Sequence, residues 1–298
     1  MRSDWHAAFP YGSLTDSLPP GVTPPEMWPE FGILASPSPL CKTELVGTEP
    51  QGIRWSIWPM TFEEYVGDDE PDRAASAKGA LARNRIMLWK RIARRDTPDG
   101  WHEAKRPWRI DGFFELASTD DYLARWSHNA RHDAKLWRRD FLDTHYIIEN
   151  ISFPEFRAAY RKSTAARALG TLMLDTLQRR LALPEREEHT KLWGVRNLSS
   201  GEIVAGTGAL FSESARASVR ECPFILPEAR GTHAATGLMD YWFQEAATRG
   251  TRTLFSTDFW HPGEPRSWKG SSEFKSHFGF SYVAYPPLLW RFVRGRLR

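Results

Sequence analysis

Residues Glu221 to Phe259, ECPFILPEARGTHAATGLMDYWFQEAATRGTRTLFSTDF, change hydrophobic period twice, and this constrains the fold more than any other stretch. Pro223 to Leu226 is an apolar run of strand length, and Pro227 to Gly231 interrupts it with turn residues. From Thr232 onward, Leu238, Met239, Tyr241, Trp242, Phe243 and Ala246 share one broad helical face, and Gly250 stands where a helix-ending glycine belongs. Thr251 to Thr257 then returns to extended, β-branched character. Strand, turn, helix and strand in that order predict a right-handed crossover joining parallel strands at Pro223 and Thr251.

The turn has two readings. Arg230, Gly231, Thr232, Ala234, Ala235, Thr236 and Gly237 precede or open a helix whose first N–H groups lack intrahelical partners. Those donors and the helix dipole make an anion cradle, with the Arg230 fork at its mouth and no room for a side chain at Gly231. The other reading is a plain helix cap. The turn alone does not separate them.

A chain of 298 residues with 41% hydrophobic and 26% charged residues is long enough for one large or two small domains and has the composition of a soluble globular protein. It contains no uncharged apolar run of membrane-spanning length. Its first residues, MRSDWHAAFPYGS, lack the apolar core of a secretory signal, so the expected compartment is the cytoplasm. Cys41 and Cys222 are isolated, which argues against a disulfide framework, and no cluster has metal-ligand spacing. Arg73 to Arg139 carries 16 Lys and Arg against 8 Asp and Glu, with tryptophans interleaved. Such a segment suits either a polyanionic partner such as tRNA or a solvated basic face.

Along the chain, the first 50 residues are rich in Pro, Gly and Ser but carry aromatics, which suggests extended chain packed on a domain. Gly52 to Trp58 reads as a strand, Thr61 as a helix cap, and Ala74 to Arg95 as an alanine-rich amphipathic helix. Tyr122 to Phe141 reads as one basic helix, Thr144 to Glu149 as a strand, and Ser152 as the cap of a helix with Pro154 and Glu155 in its first turn. A further helix over Thr171 to Leu183 leads to strands at Lys191, Glu202 and Ala215. After the crossover come a short helix over Trp268 to His277 and a strand over Phe280 to Tyr285. The expected division is 1–118, a less regular Pro- and Trp-rich N-terminal region, and 119–298, a mixed α/β domain.

Helices, a strand meander, β-α-β with a phosphate-type turn, then helix and strand is an order that resembles the GNAT superfamily of N-acyltransferases. Arg230 and Ala235 match the first and last positions of that superfamily's turn, and His233 stands at its central glycine. The sequence is similar to the Fem-type branch in three places: Arg131-x-x-x-Lys135 with Arg138-Arg139, Thr236-Gly237-Leu238-Met239-x-Tyr241-Trp242, and Lys269 to Phe280 with its Phe274-Lys275 and Phe278-Gly279. The resemblance covers Asp120 to the C-terminus. It implies a GNAT-like mixed sheet flanked by helices, with at most a degenerate second GNAT-like half in residues 1–118. It also implies transfer of an acyl or aminoacyl group from acyl-CoA or aminoacyl-tRNA, as co-substrate rather than tightly bound cofactor, to an amine on a peptide or small molecule.

Such chemistry needs a held carbonyl, polarisation of its oxygen and removal of a proton from the amine. Lys275, expected as a largely exposed lysine closing over the cleft, is the candidate for stabilising developing charge; a solvated lysine is the alternative. Asp258, at the carboxyl end of a strand, and His233, beside a helix N-terminus, are candidate bases, or caps. Glu228 and His261 are weaker candidates of the same kind. Arg131, Lys135 and Lys269 are expected to bind an anionic part of the substrate. A second class of function, a GNAT-like module that binds a nucleotide-linked or peptide ligand without catalysis, stays open on the same residues.

Overall fold

In the computed structural model the chain is described over residues 7–31, 44–46, 52–57, 60–71, 84–117, 121–169, 172–182 and 188–294. Its first strands are β1 (Leu14–Thr15), β2 (Glu44–Val46), β3 (Gly52–Ile57), β4 (Met60–Val66), β5 (Arg85–Lys90), β6 (His102–Pro107) and β7 (Ile110–Glu115). Helix α1 (His128–Leu136), strand β8 (Tyr146–Asn150) and helices α2 (Phe153–Lys162), α3 (Thr164–Leu169) and α4 (Leu172–Leu181) follow. Strands β9 (Thr190–Asn197), β10 (Ile203–Ser212) and β11 (Ala217–Ile225) lead into α5 (Ala234–Thr248) and β12 (Thr253–Ser256). Helix α6 (Lys269–Ser276) and strands β13 (Ser281–Ala284) and β14 (Pro287–Val293) end the chain. It divides into two units, 1–111 with 282–298, and 112–281. The single boundary expected near residue 118 is therefore replaced by a discontinuous division, because the chain returns to the first unit within β13.

In the first unit six strands form a sheet in the order β2-β3-β4-β5-β14-β6. In that sheet β4 and β5 pair in parallel, from Thr61↔Arg85 to Val66↔Lys90, and the other pairings among the described residues are antiparallel. Strand β5 corrects the helix expected over Ala74 to Arg95, of which residues 74–83 lie outside the described residues. Met87 and Trp89 are buried and their neighbours half-buried, a period of two, and pairing on both edges outweighs local helix propensity. Thr61, expected as a helix cap, lies inside β4 for the same reason. A buried ion cluster sits in this unit. The Arg109 guanidinium lies between Glu26 and Asp111, with Nη2 2.9 Å from Glu26 Oε2 and 2.6 Å from Asp111 Oδ2. Trp108 stacks on Tyr285 at 4.8 Å and lies 4.6 Å from the same guanidinium.

In the second unit the sheet order is β7-β12-β11-β10-β9-β8. Strands β11 and β12 are parallel, from Ala217↔Thr253 to Val219↔Phe255, and α5 joins them as the crossover pattern predicts. The other pairings are antiparallel. The runs at Ala215 and Pro223, expected as two strands, are one. β11 continues through a bulge, since Gly208 faces Glu221 while Gly206 faces Phe224, and Cys222 takes φ 48°. Pro223, which has no N–H to give, is tolerated at such a bulge, and the strand bends there.

The two faces of this sheet are covered differently. On one, Trp242 of α5 donates to Ser218 Oγ at 2.9 Å, and Phe243 meets Phe114 of β7 edge-on at 5.0 Å. Helix α6 lies on that same side: Phe278, just past its end, packs on Trp126, which packs on Phe243. On the other face α2 and α4 bury Phe156, Tyr160, Leu174 and Leu177 with Leu192 and Phe224. The Ser152 cap is as expected, a reciprocal capping box with Glu155. The basic helix expected from Tyr122 to Phe141 is instead three pieces. A 3₁₀ turn over Tyr122–Arg125 ends where the Ser127 hydroxyl caps α1 by accepting the Ala130 N–H at 3.2 Å, and a π turn follows over Trp137–Phe141.

Candidate functional site

Strands β11 and β12 stop pairing after Val219 and Phe255. Beyond that point the sheet opens toward the carboxyl ends of two parallel strands, which is where ligands of α/β sheets gather. The turn from Arg230 to Gly237 sits at the end of β11, and residues 257–264 follow β12.

The turn holds its shape by its own bonds. The Arg230 N–H donates to Pro227 O and the Thr232 hydroxyl to Ala229 O at 2.8 Å. Gly231 takes φ +80°, a conformation that disfavours side chains, yet a Cβ there meets no atom within 4 Å. A residue at Gly231 therefore strains the backbone rather than filling the turn, contrary to the sequence expectation. His233, at φ 61°, precedes α5 without capping it by side chain; its Nδ1 lies 3.2 Å from Asp133 Oδ1 of α1. Ala234 and Thr236 are buried, Ala235 is half-buried, and Arg230 is exposed.

Gly237 has a packing role. A Cβ on it meets the Trp137 indole at 2.4 to 2.6 Å, and Trp137 is buried against Phe141 and Tyr146. Gly237→Ala is expected to destabilise the chain by about 1–3 kcal/mol through overpacking. That exceeds the gain of about 1 kcal/mol from removing a helical glycine. A urea midpoint equal to or above that of the parent chain contradicts it.

Beyond β12 the structure gathers titratable groups that the sequence left scattered. Lys275 is 6% exposed, so the expectation of an exposed lysine is corrected. Its ammonium donates to Thr257 O at 2.6 Å and Asp258 O at 2.9 Å, and lies 4.4 Å from the Phe259 ring centre. Asp258 is exposed at φ 59°. His261 is buried, with Nε2 3.4 Å from Glu264 Oε1, and its N–H donates to Glu264 Oε2 at 3.2 Å. Burial pushes the Glu264 carboxyl up, against the pull of His261; Asp258 adds to the rise and Lys275 opposes it. A half-buried carboxyl with a raised pKa in a loop after a strand makes Glu264 a candidate beside Asp258. The readable signal was the spacing of Glu264 three residues after His261.

Of the expected anion ligands, Lys269 is exposed with its ammonium 5.6 Å from the Trp260 ring, beside this loop. Lys135 is exposed on α1. Arg131 donates to Ala124 O and Trp126 O, both at 3.1 Å, so it closes its own loop. Arg138 is engaged too: it binds Asp240 of α5 through Nε at 2.7 Å and Nη2 at 2.6 Å. Tyr122 and Gln244 donate to the same carboxylate, at 2.7 and 3.0 Å. This network borders a cleft of about 310 Å³ between α5, β8 and the π turn, and its polar groups satisfy one another.

Among solved structures the chain is similar to FemX, with a TM-score of 0.60 and 9% identity over 85% of this chain and 88% of that one. It is also similar to L-PGS from Bacillus licheniformis, with a TM-score of 0.55 and 13% identity over 88% of this chain and 86% of that one. A conserved protein of unknown function from Bacteroides thetaiotaomicron VPI-5482 matches with a TM-score of 0.54 and 10% identity, over 85% and 86% of the two chains. No protein-family model and no curated protein matches the sequence. At such identities the likeness is one of fold, which the chain shares with FemX and L-PGS.

Proposed function

We propose that the chain transfers an acyl or aminoacyl group from acyl-CoA or aminoacyl-tRNA to an amine on a peptide or small molecule. The observation that carries this reading is the opening between β11 and β12 with the raised carboxyl of Glu264 beyond β12. The donor enters the opening, and its anionic part lies against Arg230 and the first N–H groups of α5. The amine nitrogen attacks the thioester or ester carbonyl carbon, a C–N bond forms, and the C–S or C–O bond breaks. Glu264, aligned by His261, accepts the amine's proton, and the departing sulfur or oxygen is protonated as it leaves. Lys275 holds the Thr257–Asp258 backbone from which that loop starts. The fold shared with FemX supports the reading, and the basic residues between Arg73 and Arg139 are compatible with tRNA. Among the described residues no helix is long and apolar enough to cross a membrane.

The test is a melting-temperature screen with acetyl-CoA, longer acyl-CoAs and charged tRNA, followed by transfer of a labelled acyl group to amine acceptors. A donor is expected to raise the melting temperature and to react. The base must be unprotonated, so activity should fall as pH drops through the Glu264 pKa, which burial raises from its ordinary value. Glu264→Gln should lower turnover and remove that acid limb. A panel in which no donor binds ends the proposal, and an unchanged limb in the variant removes Glu264 from it. The second reading, a module that binds without transfer, is favoured by the engagement of Lys275 with backbone carbonyls and by His233 in the turn. Binding without product selects it.

A further inference from the structure

The sheet of the second unit ends at β8, and among the described residues no strand pairs with its outer edge. The ladder shows which backbone groups are left there. The His145 carbonyl accepts from the Leu198 N–H and the Ile151 N–H donates to the Leu192 carbonyl, both at 2.9 Å. With Ile147 opposite Arg196 and Glu149 opposite Gly194, the odd-numbered residues bond inward to β9. Ile148 and Asn150 therefore turn their N–H and C=O groups outward, and no described backbone group bonds to them there. The strand's start is closed, because Tyr146 O accepts from the Asp143 N–H at 2.7 Å beside the π turn. Two residues with four backbone groups remain, a short template for another extended chain.

The two faces beside this edge differ. Side chains alternate along β8, and Ile148 lines the cleft of about 310 Å³ together with Trp137, Leu142 and Tyr241. Arg138, Tyr122 and Gln244 already satisfy Asp240 on the cleft's polar wall, so what it offers a ligand is its apolar walls. Its volume is at the lower end for ligand pockets, which begin at about 300 Å³, and suits one side chain. Glu149 points to the other face, where Arg196 Nε donates to it at 2.6 Å and Arg196 Nη2 donates to Glu155 of α2 at 3.2 Å. Two carboxylates around one guanidinium leave a net negative charge beside the edge. That charge opposes self-pairing, because the two-fold arrangement that uses all four backbone groups sets Glu149 opposite its own equivalent.

We propose that β8 is a docking strand for an extended peptide of another protein, one that carries Lys or Arg followed directly by a large apolar residue. The peptide adds antiparallel to β8, as β9 does on the inner edge. Its apolar residue pairs with Ile148, exchanging two backbone hydrogen bonds, and places its side chain in the cleft. The basic residue before it faces Glu149 and supplies the missing positive charge, and the residue before that pairs with Asn150. Backbone bonds give the site its affinity; the cleft and the carboxylates give it selectivity. β8 is three strands from β11, about 14 Å, so the peptide docks away from the β11–β12 opening and no transfer step is part of the proposal.

The experiment uses the full chain and a short fluorescein-labelled peptide, blocked at both ends, with Arg-Phe at its centre and no amine that could act as an acceptor. The peptide's anisotropy is expected to rise saturably with the chain. Replacing its Phe by Ala should weaken binding by about tenfold or more, since burial of the aromatic side chain is lost. N-methylation of the Phe nitrogen, which donates to Ile148 O, should weaken it by about tenfold, whereas N-methylation of the Arg nitrogen, which points away from β8, should change it by about twofold at most. Asn150→Pro removes only an outward N–H, a change that edge strands tolerate, so this variant should melt near the parent's temperature and bind about tenfold more weakly. Glu149→Arg should also weaken binding, by like-charge repulsion. The proposal is overturned if the peptide shows no saturable binding, if the two N-methyl peptides bind equally, or if either variant binds as the parent does. The N-methyl peptides decide the question even where a variant fails to fold. A parent dimer that Asn150→Pro abolishes also overturns the proposal, since a second copy then holds the edge. None of these readouts depends on the transfer reaction, so the docking strand and the proposed activity fail separately.

Discussion

Arg109→Met is expected to lower the stability of the chain by about 3–5 kcal/mol, because it leaves carboxylates buried without their cation. The side chains of Glu26 and Asp111 are fully buried, and the Arg109 guanidinium lies between them. Burial by itself raises the pKa of Glu26, but attraction and hydrogen bonds from Arg109 outweigh it and hold the carboxyl below its ordinary value. In the parent chain this contribution is present above the unfolded carboxyl pKa and is lost as pH falls through the depressed folded value. Without Arg109, burial dominates and the sign reverses, so the variant gains stability relative to the parent as Glu26 protonates. Urea denaturation should therefore show a gap between the two that narrows from neutral pH toward about pH 4.5. A gap independent of pH would mean that Glu26 finds another partner in the variant. Glu26→Gln should cost less, since Arg109 keeps Asp111.

How much of this was legible in the sequence depended on the range of the interactions. The α5 crossover was legible because its signal is local: apolar spacing shifts from strand to helix and back between Pro223 and Thr257. The Ser152–Glu155 box was legible for the same reason. Strand β5 was misread because alanines before it suggested a helix, whereas its conformation is fixed by β4 and by β14, some 200 residues further on. Pro223 read as a break between strands, but the bulge at Cys222 absorbs it without ending β11. The constellation His261–Glu264 was half visible as a spacing, but the burial that raises the Glu264 carboxyl was not. Lys275 was expected to be exposed and is buried, because its acceptors are backbone carbonyls that side-chain patterns do not reveal.

Lys275→Ala is expected to lower both stability and turnover, and the two losses have one cause. The sequence alone led to the opposite expectation for stability, since an exposed lysine contributes little. In the structure the ammonium is buried and satisfies the carbonyls of Thr257 and Asp258 at the end of β12. Its removal leaves those acceptors without this donor, at about 1–3 kcal/mol for each that stays dry. It also empties the space beside the Phe259 ring. The loop freed in this way is the one that carries His261 and Glu264, so the proposed proton acceptor loses its position relative to the opening at β11. Turnover should fall by about a hundredfold or more, comparable to loss of one preorganised donor. Lys275→Met separates the contributions: it fills the same volume without the ammonium, so it should recover part of the stability and none of the turnover. A melting temperature equal to the parent's in Lys275→Ala would show that the two carbonyls need no donor. Full turnover in either variant would show that the loop's anchoring to β12 is irrelevant to the chemistry.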